Sequence, residues 1–242
     1  PPVSSVPEIE IRRPEIYYGE LAAEYVFVGT RALEFDYPAG EENVYTTYQG
    51  GGGIRLGGLG GRLLFALRFG EPKILLSTDL TADSRILLHR RVRERVSKVA
   101  PFLTWEKDPY IIIRADGTLT WMIDGYTTTS RIPYSTPVEG LGNYIRNPVK
   151  ATVDAYHGDV RLWAVEPEDP LLRSLARIFP ATFTPLASLP DDLRAHMRYP
   201  EGMFSVQAQV YGTYHMTDPQ IFYNKEDLWK VAQRDGGSGR EG

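Results

Sequence analysis

Hydrophobic positions along this chain switch between a period of two and a period near 3.6, the alternation expected when strands and helices share one fold. Glu24 to Val28 (EYVFV) reads as a first strand, because aromatic and β-branched residues suit a pleated, partly buried surface. Leu63 to Phe69 reads as a short helix closed by Gly70, and Lys73 to Ser77 as a buried strand after Pro72. Thr81 is placed to cap a longer helix over Ser84 to Ala100. In it Leu88, Val92, Val96 and Val99 fall on one face, and Arg85, Arg91, Arg95 and Lys98 on the others.

Two hairpins are expected next. Tyr110 to Arg114 joins Thr118 to Ile123 through Ala115-Asp116-Gly117, and Val149 to Tyr156 joins Val160 to Val165 through His157-Gly158. Leu119, Trp121 and Ile123 alternate onto one face, as do Val149, Ala151, Val153 and Ala155, so both strands suit a common sheet. Helices return at Pro170 to Phe179, where Asp169 is a natural cap, then at Asp191 to Arg198 and Gly202 to His215. The expected fold class is α+β: a mixed or antiparallel sheet containing the two hairpins, with helices packed against it.

Composition adds bounds. The 242 residues, 42% hydrophobic and 24% charged, suit a single soluble α+β domain over residues 8–232, with a linker at 1–7 and a flexible tail at 233–242. A net charge of -4 gives no cationic excess to hold a phosphate backbone, so no nucleic-acid partner is expected. The absence of cysteine removes disulfides, thiol nucleophiles and Cys-ligated zinc together. No apolar run approaches the about 20 residues a membrane-spanning helix needs; Leu63 to Leu67 and Tyr110 to Ile113 are the longest candidates. The start lacks the charged-then-apolar order of a signal peptide and has no initiating Met, so the chain reads as a fragment.

Several blocks carry a family likeness. FDYPAGEENVYTTY (Phe35 to Tyr48), LLFALRFG (Leu63 to Gly70), SRILLHRRVRERVSKVAPFL (Ser84 to Leu103), NYIRNPVKATVDAYHG (Asn143 to Gly158), LRAHMRYP (Leu193 to Pro200) and YHMTDPQIFYNKEDLW (Tyr214 to Trp229) closely resemble bacterial uncharacterised protein family 0182. The resemblance runs from about Pro14 to Trp229. It implies a cell-membrane protein whose N-terminal bundle of membrane helices precedes a large soluble region outside the cytoplasm. This chain would be a portion of that region, tied to the membrane through a segment it does not contain, with an envelope protein or polymer as partner. The likeness transfers no catalytic or ligand residue, and the glycine window from Gly50 to Gly61 is richer in glycine than the family pattern.

That window, with Gly at eight of twelve positions, is expected to be mobile or closely packed. It lacks the Gly-Lys-Ser/Thr ending of a phosphate-binding loop, so a nucleotide-binding regulatory domain is the weakest reading. Asp124 and Asp154 recur in similar settings, Ile-Asp-Gly-Tyr and Val-Asp-Ala-Tyr; as a close pair they would suit general-acid work or a hard cation, and apart they would accept backbone bonds at turns. His89, His157, His196 and His215 show no short ligand spacing, so no metal and no cofactor is expected, and no serine sits in a Gly-x-Ser-x-Gly elbow. Arg85, Arg91, Arg95 and Lys98, with Arg90 and Arg93, would offer a cationic face to lipid headgroups or an anionic polymer, unless pairs such as Arg90 and Glu94 neutralise it. Tyr45, Tyr48, Tyr126, Tyr134 and Tyr144 are candidates to line a groove. The functional expectation is an envelope binding or assembly module; the alternative is an envelope hydrolase using acidic residues.

Overall fold

The structure, a computed structural model, describes the backbone of residues 9–39 and 42–232, and their side chains except at 37–39 and 42. The expected linker at 1–7 and tail at 233–242 lie outside the described residues. Tyr25–Val28 (β1) forms the first strand, as its composition predicts. The turn-rich block that follows folds into an antiparallel hairpin, Glu34–Ala39 (β2) and Glu42–Thr46 (β3), which pattern alone did not reveal. After Ile54–Arg55 (β4) come two helices, Leu59–Phe69 (α1) and Lys73–Leu76 (α2), and then a strand, Arg85–Leu88 (β5). β5 lies between β1 and β4, antiparallel to both.

Two expectations are corrected here. Lys73 to Ser77 is not a strand: Pro72 has helical dihedrals and nucleates one helical turn, in which Ile74 is buried while Leu76 faces out. A four-residue apolar run is too short to separate the two periods. The helix over Ser84 to Ala100 is only Val92–Val99 (α3), because Ile86 and Leu87 are both fully buried, as a strand between two neighbours requires. His89, at φ 49, breaks the chain between β5 and α3. Thr81 and Ser84 do exchange the reciprocal bonds of a cap, at 2.9 and 3.1 Å, but a strand follows.

The large sheet confirms both hairpins and joins them. Thr104–Trp105 (β6), Tyr110–Ile113 (β7), Leu119–Thr129 (β8), Tyr144–Asp154 (β9) and Val160–Ala164 (β10) pair antiparallel, with β8 and β9 as the long central strands. Pro170–Ile178 (α4) then leads to Phe183–Pro185 (β11), which adds parallel to β10 and makes the sheet mixed. Asp169 caps α4, its side chain accepting from the Leu172 N–H at 2.7 Å. The last elements are Asp191–Arg194 (α5), shorter than expected, Glu201–Tyr214 (α6) and Pro219–Asn224 (α7).

Alternation on β8 and β9 sends residues to two different cores. Ile123, Val149, Ala151 and Val153 pack with Val92 and Val96 of α3 and Leu172 of α4. On the other face Met122, Ile112 and Trp163 pack under Leu189 and Leu193. The smaller sheet has its own core, Leu56, Phe65, Ala66, Ile74, Leu80 and Ile86. A tyrosine cluster, Tyr17, Tyr18, Tyr48 and Tyr156 with Val28 and Leu87, binds the two sheets together.

Candidate functional site

The structure separates the two expected carboxylates. Asp124 and Asp154 point to the same face of the sheet, but Asp124 is opposite Lys150 and Asp154 is opposite Thr120, four residues along β8, or about 13 Å. Asp124 and Lys150 form a buried ion pair, and the Lys150 ammonium also donates to the Arg198 carbonyl at 3.0 Å. Burial pushes the Asp124 carboxyl up, against the opposing pull of Lys150 and Asn147. Asp154 closes the β9–β10 turn by accepting from the N–H groups of Tyr156 at 2.9 Å and His157 at 2.6 Å. The two carboxylates therefore share neither proton nor cation.

Nor do the expected cations assemble into one face. The Arg85 guanidinium turns inward and donates to the carbonyls of Gly51, Gly52 and Gly53 at 2.5, 2.6 and 3.3 Å. Arg95 donates to the Gly158 carbonyl at 2.5 Å and stacks over the Tyr18 ring at 4.4 Å. Arg91 bonds the Ala22 carbonyl at 3.1 Å, and Lys98 is exposed on α3. Arg90 and Glu94 are not partners: Arg90 donates to the Tyr17 carbonyl at 2.7 Å, while Glu94 bonds His89 at 2.5 Å.

Arg85 also explains the first half of the glycine window. Its backbone turns carbonyls toward a cation, the reverse of the N–H groups that cradle a phosphate. The packing is close: a Cβ at Gly52 would lie 2.5 Å from the His157 carbonyl oxygen. The candidate tyrosines have separate surroundings. Tyr48, Tyr126 and Tyr144 are tied to the Gly52 N–H, Glu106 and Asp169, whereas Tyr45 and Tyr134 stand exposed.

What the structure presents outward instead is leucine. In α1 the buried face, Phe65 and Ala66 with Phe69, packs on Ile74, Leu80 and Ile86. The opposite face carries Leu59, Leu63, Leu64 and Leu67, which are 73, 49, 64 and 74% exposed, and α2 adds Leu76 at 79%. Leucine, alanine and arginine favour helix, and Gly70 ends it in a left-handed cap at φ 67 whose N–H bonds the Ala66 carbonyl. Sequence reading found this helix but not its exposed leucine face. The available signal was LLFAL itself, apolar on every side of a surface helix and so in need of two coverings.

Comparison with known proteins places these features in a family. Residues 1–241 match the family model described as Uncharacterised protein family (UPF0182). The chain is 48% identical over 237 residues to a UPF0182 protein of Methanospirillum hungatei, covering 96% of this chain and 26% of that protein. It is 51% identical over 230 residues to UPF0182 proteins of Pelotomaculum thermopropionicum and Geobacter sulfurreducens, covering 95% of this chain and 25 and 26% of theirs. The chain thus spans about a quarter of the length of the curated relatives it matches. No solved structure matches it.

Proposed function

We propose, from the fact that the chain belongs to the uncharacterised protein family UPF0182, that it is an extracytoplasmic part of a multi-pass membrane protein and acts as a binding or assembly module in the cell envelope. The observation that carries the module reading is the outward leucine face of α1, since contiguous apolar surface on a water-facing domain marks a contact site. Two further points support it. Asp124 and Asp154 are engaged at separate places, so the hydrolase alternative draws no support from the acid pair that suggested it. The relatives are about four times as long as the matched part, which leaves ample length for a membrane bundle.

The placement is tested by labelling. This chain contributes no cysteine of its own, so a single cysteine is introduced at exposed Lys98 or Ser174, and the same whole protein without that substitution gives the background labelling. In intact cells expressing the whole protein, a membrane-impermeant maleimide is expected to label both sites without lysis. Labelling only after lysis would overturn the extracytoplasmic reading.

A further inference from the structure

The leucine face carries a charge signature that narrows what covers it. On a helical wheel at about 100° per residue, Leu59, Leu63, Leu67 and Leu64 fall within about 140°, with Arg68 at the margin. From Ile54 to Leu76 the chain holds Arg55, Arg62, Arg68 and Lys73 against one acid, Glu71, although the chain as a whole carries -4. Arg62 is turned inward, onto the Ser77 and Leu80 carbonyls. Arg55, Arg68 and Lys73 remain exposed, and among the described residues no salt bridge engages them.

We propose that α1 and α2 are a lipid contact, lying along an anionic bilayer surface with Leu59, Leu63, Leu64 and Leu67 sunk to headgroup level and Arg55, Arg68 and Lys73 at the phosphates. This names the partner of the contact face put forward above, and rests on that reading. An apolar stripe with Arg68 at its margin, on a segment of local cationic excess, has the form of an interfacial helix, whose binding adds buried apolar area to attraction for anionic lipid. A second copy would bring its own Arg55, Arg68 and Lys73 to the same seam, like charge against like, which disfavours a dimer through this face.

Flotation of the 242-residue chain with vesicles tests this. Phosphatidylcholine vesicles containing roughly 30% phosphatidylglycerol are expected to carry the chain, pure phosphatidylcholine to carry it poorly, and added salt to release it. L63S/L67S, both exposed positions, should leave the circular dichroism spectrum unchanged and lower partition at least roughly tenfold; R68E/K73E should act on anionic vesicles alone. No partition of the folded chain, or partition unchanged in L63S/L67S, overturns the proposal. So does a dimer on sizing that L63S/L67S dissolves, which would make the occupant a second copy. In the whole reconstituted protein, a fluorophore on Leu67→Cys should be quenched by brominated lipid; an unquenched probe means that protein covers the face, and the proposal fails. Cytoplasmic labelling at Lys98→Cys would remove the extracytoplasmic reading by itself, whereas partition and quenching judge the lipid contact.

Discussion

Lys150 and Asp124 show how a single register position can decide a residue's role. Truncating Lys150→Ala leaves a buried carboxylate without its partner and is expected to lower stability by about 3–5 kcal/mol in urea titration, while D124L/K150M, which removes both charges, should cost less. Glycines divide in the same way by what surrounds them. Gly52→Ala drives a methyl into the His157 carbonyl and should destabilise, whereas Gly60→Ala, in open space inside α1, should raise stability by about 0.5–1 kcal/mol on thermal unfolding. Asp169 was legible as a cap because the N–H it accepts from, that of Leu172, lies three residues away in the chain. Asp124 was legible only as an acid of interest: its partner is 26 residues distant and fixed by pairing, which spacing does not record.

Elements depend on neighbours in the same way. The two hairpins could be read because their turns and alternation are local, and β5 was misread because a strand buried on both faces has no alternation to show. The block from Leu193 to Pro200 drew attention as a signature, and the structure gives it work: it lies over the Asp124 face, offering the Arg198 carbonyl to Lys150 and laying the Arg198 guanidinium on the Tyr110 ring at 4.4 Å. Just beyond it Glu106 fastens the start of α6, accepting from the Gly202 N–H at 2.8 Å and the Tyr126 hydroxyl at 2.5 Å. Burial alone would raise the Glu106 carboxyl, but these donors and the Lys107 N–H outweigh it and hold the group below its usual range. A depressed carboxyl stabilises the fold above its unfolded value, near pH 4, and that stability is lost as pH falls through the lower folded value. Amide exchange in α6 should therefore be flat near neutrality and accelerate only in acid, an increase that Glu106→Gln removes after correction for intrinsic rates.

For the molecule as a whole, fold class was open to reading while the joint between its two larger sheets was not. The joint is made by side chains far apart in sequence: Tyr17 meets Tyr48 and Tyr156 edge-on at 4.6 and 5.2 Å, and its hydroxyl bonds Glu34. Removing that ring in Tyr17→Ala is expected to uncouple the sheets, so that near-ultraviolet and far-ultraviolet dichroism give separate thermal midpoints; coincident midpoints would show that the cluster is dispensable. The segment through Tyr17 and Tyr18 is also stitched on both sides. Both N–H groups donate to the Ala155 carbonyl at 2.9 Å, the Tyr18 carbonyl accepts from the Trp121 indole at 2.9 Å, and Gly19 exchanges bonds with Arg90 and Val92. Tension arriving through the residues ahead of Tyr17 would thus be shared at once between the middle of the large sheet and the start of α3. A tug on that lead would load several anchors in parallel instead of unzipping one edge.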